Sequence, residues 1–321
     1  MYKGKSLVLA MMFLLPLSTF AQKDTLVHKL DSLKKKTDTV GQVNNINPAA
    51  YNEQTKLTPK TYGLLLWSDI KQSFTKPFHM HGKDWKNLGI FTGITVALSF
   101  ADKPIQQNAV EFSDRNPNVH DIGDFISRFG RTYEIYTLAG FELYGLIFKS
   151  TKVKTTTLLA TQAVLTGFLE EGVIKTLAGR LRPNNYGPDV IAEPVFKGPF
   201  ANTSRDYAGN RSNSSFPSGH TTVSFAAATV FAIEYKDHPI IPITAYSIAT
   251  LIGLSRITEN KHWATDVLCG AAIGYLTGKH VADNYHRYSK IKSAPKKGSV
   301  SWNLNYYDGH ISPDIVYHFR R

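Results

Sequence analysis

Cysteine is almost absent: Cys269 is the only one in 321 residues, so no disulfide can form within the chain. It lies in an apolar stretch, where inert packing is the expected role. Charge is sparse as well, at 19% of residues, and no basic run exceeds Lys34-Lys35-Lys36. With no recognisable nucleic-acid module either, nucleic acid is not expected as a partner. Long charge-free apolar runs are also lacking. None clearly reaches the roughly 20 residues of a comfortable membrane span, and the mean hydropathy of -0.21 lies below that of a chain dominated by spans. No repeat of solenoid period occurs.

What the chain does have is 12% aromatic residues and a formal charge of +12, which suits an anionic partner such as a phosphorylated substrate or an acidic membrane surface. Residues 1–21 read as an export signal: Lys3 and Lys5 precede the apolar Leu7 to Leu17, and Thr19-Phe20-Ala21 is a small-residue cleavage site. An uncleaved anchor is the rival reading, disfavoured by the short apolar centre. Residues 22–60 form a polar leader without apolar periodicity. Over 61–86 an amphipathic lead-in helix is expected, with Leu65, Leu66, Trp67, Ile70 and Phe74 at helical spacing, lying on a membrane surface or packed on the domain.

From Asn87 the pattern is helical. Six apolar helices are expected, at about Leu88 to Ala101, Tyr133 to Phe148, Thr155 to Leu177, Thr221 to Glu234, Pro239 to Leu254 and Trp263 to Gly278. They predict an all-α bundle over 87–288, with Pro183 to Ser215 as a long loop. Residues 289–321 follow as a basic linker and tail. There Val300, Trp302, Leu304 and Tyr306, then Ile315, Tyr317 and Phe319, alternate about an Asp308-Gly309 turn, the pattern of one β-hairpin.

Three separated groups carry chemistry. Lys175 and Arg182 stand seven apart, so a helix running up to Pro183 would present both cations on one face, Arg offering a fork for phosphate oxygens and Lys a point charge. Pro217-Ser218-Gly219-His220 leads into a helix whose unpaired amides favour an anion. There Gly219 permits close approach, the Ser218 hydroxyl can donate to an oxygen, and His220 can protonate a leaving group. Ser255-Arg256 closes another helix. One turn separates His262 from Asp266, which lets the carboxylate hold one imidazole nitrogen and leave the other unprotonated. Each group alone has an ordinary reading: cations at a helix C-terminus complement its dipole, serine caps a helix, and His and Asp at i and i+4 form a surface pair. As metal ligands they lack a third and fourth partner at matching spacing.

Together, K-x6-R-P (Lys175, Arg182, Pro183), P-S-G-H (Pro217 to His220) and S-R-x5-H-x3-D (Ser255, Arg256, His262, Asp266) resemble the type 2 phosphatidic acid phosphatase and vanadium haloperoxidase superfamily. The resemblance covers about Asn87 to Tyr288. It implies a six-helix core bundle in which His262 is the nucleophile, Asp266 orients it, and His220 is the acid and then the base. Lys175, Arg182, Ser218, Gly219 and Arg256 would bind phosphate. It further implies a phosphatase of a lipid-linked or small phosphate ester, membrane-associated, exported, with its active site in or facing the periplasm. No metal and no cofactor is expected. Vanadate would be an inhibitor, or the cofactor if the chain were a vanadate-dependent haloperoxidase. A non-catalytic phosphate-binding envelope protein is the third reading.

Overall fold

The computed structural model describes residues 57–130, 132–186, 190–199, 201, 213–293, 299–307 and 310–318. The export signal and residues 22–56 of the leader lie outside the described residues. Among the described residues nine α-helices follow in order: α1 (Pro59–Thr75), α2 (Gly82–Ser99), α3 (Asp102–Arg115), α4 (Pro117–Ser127), α5 (Thr132–Ile147), α6 (Thr151–Ala178), α7 (Gly219–Glu234), α8 (Ile240–Thr258) and α9 (Ala264–Ser293). Strands β1 (Ser299–Tyr307) and β2 (His310–His318) then pair antiparallel, with Trp302 opposite Ile315. The bundle is all-α as expected, but it has nine helices where a six-helix core was expected. One is the lead-in α1, and two, α3 and α4, were not foreseen.

Those two helices escape a search for apolar periodicity because their buried faces are polar or small. α3 buries Asp102, Gln106 and Ser113, and α4 buries Gly123 and Ser127 while Ile122 and Phe125 remain exposed. The same inversion runs through the molecule. α2 buries nothing and exposes Trp85, Ile90, Ile94 and Val96, while α6 buries Thr155, Thr156, Thr157 and Thr166. Buried threonines tolerate this position by returning their hydroxyls to the carbonyl one turn back, as Thr156 does to Lys152 and Thr157 to Val153. Among the described residues, α8 alone is by itself long and apolar enough to cross a membrane; α2 and α3 meet that test only together, bent by 58° at their break.

The site is positioned by α7, which lies centrally against α6, α8 and α9. Its contact with α9 is unusually close because α9 presents Gly270, Gly274 and Gly278, one per turn. A Cβ at these positions would stand 2.6 Å from the Ser218 carbonyl, 2.2 Å from that of Thr222 and 2.4 Å from that of Ala226. Only glycine lets the two backbones meet there. Further along α7, Ala226, Ala227 and Val230 pack with Leu65 of α1, Leu138 of α5, Leu159 and Ala163 of α6, and Val281 of α9 to form the apolar core. The N-termini of α7 and α9 are thereby held side by side, and the Ser218 amide donates to the Asp266 carbonyl at 3.0 Å.

Candidate active site

A cavity of about 160 Å³ opens where α6, α7 and the α8–α9 connection meet. Lys175, Arg182, Gly219, His220, Arg256 and His262 line it, joined by Gly130, Phe168, Glu171, Val223 and Lys261. The two cations expected on one helical face arrive differently. α6 ends at Ala178, and Gly179 caps it in the left-handed conformation (φ 56°, ψ 38°), its amide donating to the Lys175 carbonyl. Arg182 therefore stands on an extended segment, fixed by the Leu181 amide to the Val195 carbonyl at 3.0 Å. Gly179, four residues before Pro183, is the signal that ends the helix.

Arg256, in the last turn of α8, donates to Glu259 at 2.8 Å. The connection to α9 folds back on it, the amides of Lys261 and His262 both donating to the Arg256 carbonyl. His220 is the second residue of α7, so its side chain reaches the cavity beside the first turn of that helix. Ser218 occupies the N-cap position of α7 without a side-chain capping bond, and it is not among the residues that line the cavity. It is fully buried, and its hydroxyl accepts from Thr221 at 2.9 Å.

His262 is buried, and its Nδ1 lies 2.7 Å from the carbonyl oxygen of Ser215. A carbonyl only accepts, so Nδ1 carries the proton and Nε2 is left as the unprotonated nitrogen. Asp266 Oδ2 stands 3.6 Å from Nδ1, beyond a hydrogen bond but near enough to act by charge. Burial, opposed by Asp266 and reinforced by Arg182 and Arg256, pushes the His262 pKa down to about 3. The ring is thus a neutral base at ordinary pH. Asp266 Oδ2 also accepts from the Ser215 hydroxyl at 2.5 Å and the Trp263 amide at 2.9 Å, so the same carboxylate caps α9 and fixes the segment that holds the ring. Burial opposes its ionisation, yet Arg180, His262 and Ser215 hold its carboxyl below the usual range.

Behind Asp266 lies a charge network that the sequence reading missed. Arg180 is 1% exposed. It donates to Asp266 Oδ1 at 2.5 Å, to Asp102 Oδ2 at 2.6 Å and to Thr265 Oγ1 at 2.7 Å. Asp102, fully buried at the start of α3, accepts in addition from the Thr265 amide at 2.9 Å and hydroxyl at 2.5 Å. The guanidinium rests 4.7 Å from the Phe196 ring centre and 5.6 Å from that of Trp263. Lys261, Glu171 and Ser215 were missed too. Lys261 had a signal in its place beside His262, and Glu171 in its i, i+4 spacing from Lys175; Ser215 acts through contacts that no spacing announces.

Phe168 lines a second, apolar groove of about 460 Å³ along α6, with Leu169, Gly172, Val173, Thr176 and Leu177. Among the described residues, no group of three or more His, Cys, Asp or Glu side chains is placed to hold a metal ion.

Residues 154–289 match the model of the PAP2 superfamily. The chain is 38% identical to a lipid A 1-phosphatase of Porphyromonas gingivalis over 122 residues, which are 38% of this chain and 27% of that protein. It is 26% identical to a lipid A 1-phosphatase of Rhizobium etli over 209 residues, 59% of this chain and 80% of that protein. Among solved structures it is similar to a transmembrane PAP2 type phosphatidylglycerolphosphate phosphatase from Bacillus subtilis, with a TM-score of 0.42 at 23% identity over 65% of this chain and 96% of that one. The chain spans about a quarter of the length of the Porphyromonas protein.

Proposed function

Because the chain belongs to the PAP2 superfamily, we propose that it is a metal-independent phosphatase removing phosphate from a lipid-linked or amphipathic phosphomonoester or diphosphate. The observation that carries this reading is the convergence of His220, His262, Lys175, Arg182 and Arg256 on one cavity from three separated segments. His262 Nε2 attacks phosphorus, forming a P–N bond as the ester P–O bond breaks, while His220 gives its proton to the departing oxygen. His220 then takes a proton from the water that attacks the phosphohistidine, and inorganic phosphate and the free ring are released. The attack places positive charge on the imidazole, which the Nδ1–H bond to Ser215 and the nearby Asp266 carboxylate stabilise. Lys175, Arg182, Arg256 and the Gly219 amide bind the non-bridging oxygens where charge gathers in the transition state. Ser218 joins them by donating its hydroxyl proton to a phosphate oxygen while its Oγ accepts from Thr221.

The lipid part of the reading rests on three supports. Two matched relatives carry the name lipid A 1-phosphatase. The apolar groove meets the cavity at Phe168. Apolar side chains that an aqueous bundle would bury stand exposed along α2, α5 and α8. The enzyme so described is exported and membrane-associated, its cavity facing the periplasm, with residues 87–288 as the catalytic domain.

The test is phosphate release by the mature protein and by His262→Ala on a panel of soluble and lipid phosphates with chelator present. Turnover that survives chelation and vanishes in the variant is expected. Substantial turnover by His262→Ala overturns the nucleophile assignment, and none by either protein on any ester overturns the phosphatase.

A further inference from the structure

One carboxylate lines the cavity among the described residues, and it belongs to Glu171. It stands on α6 one turn before Lys175 and forms an ion pair with the Lys175 ammonium; the carboxylate side chain is 8% exposed. Both groups press on the amide end of α7. The position a Cβ would take on Gly219 is 2.9 Å from Glu171 Oε1 and 2.9 Å from Lys175 Nζ. An anion is what that end of a helix attracts, and the first-turn amides and a lysine are what a phosphoryl group would use. A side-chain carboxylate stands at the position where that helix end attracts an anion.

We propose that Glu171 is a specificity-determining residue of the phosphate subsite, a built-in competitor anion. It holds Lys175 and occupies the space beside the amide end of α7 until a phosphoryl group displaces it. This rests on the cavity binding phosphate, as in the function proposed above. The consequence is selective weakening. A cavity lined by Lys175, Arg182, Arg256 and Lys261 would hold inorganic phosphate tightly, and tight product binding slows turnover without stabilising the transition state. Glu171 lowers that affinity through repulsion of the phosphate and competition for its cations. An ester bound also through its organic group retains contacts that Glu171 does not contest.

The experiment is calorimetric titration of inorganic phosphate into the full mature protein and its Glu171→Gln and Glu171→Ala variants. The first variant keeps the shape and removes the charge; the second removes both. Removing a negative charge within about 5 Å of a bound phosphate is expected to tighten binding by at least about tenfold in both variants. Phosphate should become a correspondingly stronger product inhibitor. Unchanged or weaker binding in both variants overturns the proposal, since Glu171 would then only support Lys175. Failure of the wild-type protein to bind phosphate at all overturns the phosphate reading of the cavity, and the role of Glu171 with it.

Discussion

Replacing Asp102 by asparagine tests whether the network behind the candidate nucleophile does what its geometry implies. The change is nearly isosteric, but it removes a charge and turns one carboxylate oxygen into a donor. Asp102 Oδ2 serves Arg180 and the Thr265 hydroxyl, while Oδ1 serves the Thr265 amide. Whichever oxygen is replaced, at least one buried donor then faces another donor. Arg180 keeps Asp266 as its sole carboxylate partner in the network, at 1% exposure. Breaking one side of such a buried network costs about 3–5 kcal/mol. At about 2–4 °C per kcal/mol for a domain of this size, the melting temperature should fall by roughly 10 °C. Thermal unfolding followed by circular dichroism in detergent reads this directly. Arg180→Met together with Asp102→Asn removes both charges, so the double variant should lose less than the sum of the two single losses. Phosphate release should fall in Asp102→Asn as well, because Arg180 fixes Asp266. A wild-type melting temperature in Asp102→Asn, or losses that simply add, would refute the reasoning.

Three further outcomes are expected. The folded-state pKa of His262 is lowered to about 3 from 6.5, so the unfolded chain takes up this proton first. The stability it supplies is full above about pH 6.5 and is lost as pH falls toward 3, by about 1.4 kcal/mol per pH unit. Melting curves of the wild type and His262→Asn from pH 7 to 4 should therefore converge, and parallel profiles would remove the buried neutral ring from the account. Gly274→Ala puts a methyl 2.2 Å from the Thr222 carbonyl and should destabilise by about 1–3 kcal/mol, whereas Gly140→Ala, with nothing within 4 Å of its Cβ, should be neutral or stabilising by chemical denaturation. His220→Ala should slow esters with poor leaving groups more than those with good ones, and equal losses on both would argue against proton donation by His220.

The parts of this protein legible in its sequence are those in which a residue acts through its own chemistry at a fixed offset. Lys175, Arg182, His220, Arg256 and His262 declared themselves through spacing, and the structure gathers all five around one cavity. The helices that declared themselves did so through apolar runs. What stayed hidden is whatever depends on a contact across the bundle. α3 carries no apolar stripe, because the face it buries holds Asp102, whose value lies in meeting Arg180 and Thr265, residues far along the chain. The Ser215 carbonyl, which fixes the His262 tautomer, is a backbone atom and has no sequence signature. Asp266 shows the division within a single residue. Its spacing from His262 was readable, and it stands 3.6 Å from Nδ1. Its closer bonds to Ser215, Trp263 and Arg180 were not readable. Those bonds make the carboxylate a rigid charge, so the i, i+4 spacing identifies a partner of the ring while the fold decides that the partner acts at a distance.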